Sequence, residues 1–121
     1  MQENPISVIN EKIYEKVTGT LTASTGVTIG SQKLIKSGNV VFLEVVFTTT
    51  VSKALYNNLF IVPSGFIPEE AVLVPVVGMN DPNIIKHTGS IMYIDRGGSG
   101  CAGSDTIPVG TYGISCTYIA Q

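Results

Sequence analysis

Tryptophan is absent from this chain of 121 residues, histidine occurs once, cysteine twice, and charged residues make up only 13 %. Each shortage removes a class of function. A single histidine, His87, leaves no pair for a metal site, and no Cys-x-x-Cys spacing compensates for it. His87, Asp95 and Cys101 offer the residue types of a nucleophile triad, but no nucleophile elbow surrounds a serine. Catalysis needs a constellation rather than a residue. The chain therefore reads as a non-enzyme, with no catalytic residues, no metal and no cofactor expected. Seven Lys and Arg against nine Asp and Glu give a net charge of −2, and the basic residues are scattered. Phosphate backbones demand clustered cations, so a nucleic-acid partner is not expected. Two cysteines do not make a disulfide framework; Cys101 and Cys116 read as thiols, with a single bridge left open. The longest uncharged apolar stretch, residues 71–79, has nine residues with Pro75 at its centre. A spanning helix needs about 20, so no membrane insertion is expected. The opening MQENPISVINEK has no basic stretch followed by an apolar one, so a Sec-type signal is not expected from it.

What the chain does have is β-formers and turn residues. Val, Ile and Thr make up 40 of the 121 residues, with 13 Gly and 6 Pro spread among them. Side chains branched at Cβ fit a pleated surface better than a helix. Residues 1–16 are polar and read as a linker or stalk end, with a short helix near residue 13 left open. Residues 17–121 read as one all-β domain, an antiparallel jelly-roll-like β-sandwich of about eight short strands. From Val17 to Ala23 apolar and polar residues alternate, as in a half-buried strand. The clearest unit is KLIK-SGN-VVFLEVVFTTT, two β-rich runs around Ser37, Gly38 and Asn39, the signature of a hairpin. In residues 40–47 both alternating faces are largely apolar, which predicts burial on both sides. Further strands are expected over 55–62, over 71–77 with Pro75 marking an edge or bulge, over 90–95 and over 112–120. Residues 96–105, RGGSGCAGSD, read as a long glycine-rich loop. It lacks the Gly-Lys-Ser/Thr ending of a phosphate cradle, but exposed loops on a rigid β scaffold commonly carry recognition.

Saccharide recognition needs polar planar groups beside an aromatic surface. The loop candidates for ligand binding are Asn80, Asp81, His87, Asp95, Arg96 and Asp105, together with Asn83; the aromatic candidates are Tyr56, Tyr93 and Tyr112. Low charge in a chain of this hydrophobicity also suggests surface hidden between subunits.

The order of segments resembles a known family. SGNVVFLEVVFT, LFIVPSGFIPEEAVLVPV, GSIMYID-RGGSG and IPVGTYGISCTYIA are similar to the C-terminal head domains of tailed-phage receptor-binding, tail-fibre and baseplate proteins. The likeness runs from about Lys33 to Ala120 and rests on Gly38 to Leu43, Val62 to Pro68, Gly89 to Ile94 and Gly110 to Ile119. It implies a jelly-roll-like sandwich, assembled as a homotrimer on a phage or prophage tail, adhering to a host cell-surface glycan. It also implies assembly in the bacterial cytoplasm, contacts with other tail or baseplate proteins, and residence in the virion. The competing expectations are a carbohydrate-binding module at a bacterial cell surface and a purely architectural virion decoration protein.

Overall fold

The structure, a computed structural model, describes residues 15–79, 91–104 and 106–121. Ten strands form among them: β1 (Lys16–Thr18), β2 (Thr22–Ala23), β3 (Val27–Ser37), β4 (Val40–Thr49), β5 (Asn58–Ile61), β6 (Val72–Pro75), β7 (Val77–Met79), β8 (Ile91–Ile94), β9 (Ser99–Ala102) and β10 (Gly110–Ile119). They build two antiparallel sheets of five strands. Sheet I is ordered β1-β3-β4-β10-β7 and sheet II β2-β5-β9-β8-β6. Six of the nine connections carry the chain from one sheet to the other, which is the jelly-roll-like character of the sandwich.

The β3–β4 hairpin forms where the sequence places it. Ser37 pairs with Val40, leaving a two-residue loop of Gly38 and Asn39. Gly38 has φ of 60° while Asn39 keeps a negative φ, the combination of a type II′ turn, whose twist matches that of the flanking strands. Strand alternation then sends Val41, Leu43, Val45 and Phe47 into the core at 0–1 % exposure. Leu34 from β3 and Tyr112, Ile114 and Tyr118 from β10 face the same side; Leu59, Phe60, Val74, Met92 and Ile94 come from sheet II. Phe47 joins the layers, 6.4 Å from the Phe60 ring and 5.8 Å from Tyr112. Both core tyrosines find acceptors for their hydroxyls: Tyr112 donates to Pro108 O at 2.8 Å and Tyr118 to Phe66 O at 2.7 Å. Burial pushes the Tyr118 phenol above its usual range.

The expected antiparallel β-sandwich forms, with ten strands among the described residues, the first starting at Lys16. Three expectations are corrected. The run from Val17 to Ala23 is not one strand: β1 lies in sheet I and β2 in sheet II, so Val17 is exposed while Leu21 is buried. The stretch 71–77 likewise divides at Val76, with β6 at the edge of sheet II and β7 at the edge of sheet I. Pro75 thus closes an edge strand, where a missing N–H costs no ladder bond. The glycine-rich stretch is not one long loop but a hairpin: Met92, Tyr93 and Ile94 of β8 pair with Ala102, Cys101 and Gly100 of β9.

Within the chain the second face of β4 is open: Val40 and Glu44 are exposed, Phe42 and Val46 half-buried. With Val77, Met79 and Ile119 it leaves sheet I with an apolar outer surface.

Candidate functional site

The outer face of sheet II gathers the polar and aromatic side chains. Alternation in β8 turns Met92 and Ile94 inward at 0 % exposure, which turns Ile91, Tyr93 and Asp95 outward. One in-register row then crosses four strands, from Leu73 through Tyr93 and Cys101 to Asn58. Tyr56, just before β5, completes the row. Its ring meets Tyr93 edge to face, with centroids 6.3 Å apart and planes at 64°.

Tyr56 is held in an unusual way. Its φ is 70°, the one positive value among the described non-glycine residues. A left-handed conformation costs an L-residue roughly 1–2 kcal/mol. Backbone bonds impose it: Tyr56 N donates to Ala102 O at 2.8 Å, Asn57 N to Ala54 O at 3.0 Å, and Ala102 N to Asn57 O at 3.2 Å. The turn is clamped against β9, and the ring stands out at 67 % exposure.

Beneath the rings lies the Cys101 thiol, 3 % exposed. It donates to Asn58 Oδ1 at 3.1 Å and receives a hydrogen bond from the Tyr93 side chain. Burial pushes the thiol pKa up, the Tyr93 bond opposes this, and the Asp95 carboxylate adds to the rise. The Tyr93 phenol is raised too, by desolvation first and then by Cys101, Asp95 and Tyr56. These groups stay protonated at neutral pH, so the relay is a fixed scaffold. With one lone pair of its carbonyl oxygen taken by sulfur, the exposed Asn58 retains two N–H donors and one acceptor site.

Of the loop residues expected from sequence, the structure describes Asp95 and Arg96. Asp95 Oδ1 accepts from Gly97 N and Ser99 N, both at 2.9 Å. With Gly98 N bonded to Asp95 O at 3.0 Å and Gly98 at φ 91°, the carboxylate pins the tight β8–β9 turn. Arg96 is exposed in that turn, and its carbonyl accepts from Gln121 Nε2 at 3.0 Å. Asn80, Asp81, Asn83, His87 and Asp105 lie outside the described residues. Tyr112 does not serve the site, since it is 1 % exposed and packed in the core. Tyr56 and Tyr93 are brought together as a pair.

Sequence reasoning missed Asn58, Leu73 and Lys53. The tandem Asn57-Asn58 after a tyrosine was a usable signal, because asparagine marks turns where the chain adopts special φ. Lys53, Asn57, Asn58, Ser24 and Thr25 line a groove of about 410 Å³ next to the tyrosine pair. Among the described residues no three His, Cys, Asp or Glu side chains converge as metal ligands would. No family model matches the chain, and no curated protein is significantly similar to it.

Proposed function

We propose that this chain is the receptor-binding head of a phage or prophage tail, a non-enzymatic module that adheres to a saccharide on the host cell surface. One observation carries the reading: the exposed Tyr56 ring meets the half-buried Tyr93 ring on the outer face of sheet II, in the row that ends at Asn58. Aromatic faces bury the apolar side of a sugar ring, and a fixed amide donor selects among its hydroxyls. The resemblance of residues 33–120 to phage head domains supports the virion setting. Glycan-array binding of the intact protein tests the proposal. Wild type should retain a defined set of glycans, and Tyr56→Ala should lose them with an unchanged circular dichroism spectrum. Silence of the wild type across the array would leave the architectural reading in its place.

The reading includes a homotrimer, with a second copy as the occupant of the open face of sheet I. Val40, Val77 and Ile119 are 45–53 % exposed there. Strand spacings of about 4.8 Å and rises of about 3.3 Å per residue give its three long strands roughly 500 Å², at the lower limit of what a specific contact buries per partner. Lys33 and Glu44 are cross-strand partners near its centre, so each copy presents both signs of charge to the next. The number three follows from the family likeness alone.

A further inference from the structure

We infer that the groove beside the tyrosine pair seats an anionic substituent, carboxylate or phosphate, of an acidic saccharide, with Lys53 as the cation that receives it. The inference rests on the saccharide-binding reading and specifies its ligand.

Lys53 is the one charged side chain buried among the described residues, at 9 % exposure. Its backbone is fixed, because N and O both bond to Ile107 at 2.8 Å. The side chain therefore leaves from a rigid point. Its ammonium has three N–H donors, and the acceptor found for it among the described residues is the carbonyl of Thr25. Among the described residues, no carboxylate lines the groove. Burying a cation against a neutral carbonyl leaves most of its lost hydration uncompensated, and buried charges are ordinarily paired. An anion entering the groove would supply the missing charge in a partly dehydrated setting, where charge-assisted bonds are strong.

The rest of the lining fits the same ligand. Ser24 and Thr25 bring hydroxyls, and Asn57 and Asn58 bring amides. The Cys101 thiol takes one lone pair of the Asn58 oxygen at 3.1 Å, and the amide's two N–H donors suit anionic oxygens. Asn58 also ends the row that contains Tyr93. A sugar ring resting on the tyrosines would therefore direct a charged substituent past Asn58 toward Lys53.

The test is calorimetric titration of the full chain at low ionic strength with methyl glucoside, methyl glucuronide, glucose 6-phosphate and inorganic phosphate. Amide-resolved NMR follows the Asn57 and Asn58 side-chain signals. An acidic sugar should bind about tenfold tighter than the neutral one, the worth of one charge-assisted bond. That advantage should vanish in Lys53→Met, persist in Lys53→Arg, and shrink at high salt. Tyr56→Ala should weaken neutral and acidic sugars alike. The carboxylate and phosphate arms identify which anion is preferred. Equal affinity for neutral and acidic sugars overturns the inference while leaving saccharide binding intact; so does a preference that survives in Lys53→Met. Binding of inorganic phosphate with no sugar bound, or no binding at all, overturns the inference together with the saccharide reading. If Lys53→Met loses its fold, the Lys53→Arg variant and the salt dependence of the wild-type preference still decide.

Discussion

The two sheets of the sandwich have the same number of strands and opposite habits. Sheet I is built on three strands of ten or eleven residues in continuous register, disturbed once at Gly30. Sheet II is built of strands of two to four residues, with a register shift between Asn58 and Phe60. Long strands bury long apolar rows and leave a smooth outer surface. Short strands end often, and every ending is a turn able to hold a side chain in an unusual direction. Tyr56 and the Asp95 turn both sit at such endings. The difference gives cohesion to sheet I and, on the proposed reading, recognition to sheet II.

The comparison breaks most visibly at Phe47, which belongs to sheet I but touches Phe60 of sheet II. Phe47→Ala should cost about 3–5 kcal/mol in urea unfolding, as expected for a fully buried aromatic ring. A loss under 1 kcal/mol would mean the layers do not share one core. A smaller effect is expected on the open face. If the proposed trimer forms through this face, Phe42→Asp should reduce it to a mass near 12.8 kDa by light scattering, with unfolding of the separated chain little changed, because Phe42 is half-buried there. A variant that cannot fold at all would place Phe42 in the core instead. On sheet II, Leu73→Ser should change stability by no more than about 0.5 kcal/mol, since the side chain is 71 % exposed. A large loss there would contradict the division of labour.

A pH experiment sharpens the contrast at small amplitude. Burial pushes the Cys116 thiol of sheet I up from 9.0 to about 11. Its folded form holds the proton longer than the unfolded form does. Stability from this group is thus intact below pH 9 and falls as pH rises through about 11. Cys116→Ala should make that alkaline slope shallower, leaving the part contributed by the raised Tyr118, Tyr93 and Cys101 groups. A slope unchanged by the substitution would mean another group titrates there.

The hairpin around Gly38 was legible in the sequence because turn chemistry is local. The tyrosines were legible as residue types for the same reason, although their pairing was not. The division of residues 71–79 between two sheets was not legible. Alternation of apolar residues reports which side of a strand is buried, and a strand that changes sheets at a buried Val76 keeps the same alternation. The glycine-rich stretch misled for a related reason: Gly98 signals a turn, but Gly100 and Cys101 form a strand only because β5 and β8 flank them. Lys53 was invisible, since nothing local tells a buried lysine from a solvated one. Asp95 was legible as a loop carboxylate, while its role in pinning the turn depended on the positions of Gly97 and Ser99.

The left-handed backbone at Tyr56 makes this position a place where two kinds of selection part company. Glycine adopts φ of 70° without the clash that tyrosine bears, so Tyr56→Gly should fold with equal or better stability while losing the exposed ring. A library screened for heat resistance should therefore drift toward glycine or asparagine at residue 56, and one screened on a ligand should keep the aromatic. Lineages that still carry tyrosine there after many generations would be recording, in a single codon, that something has continued to be held.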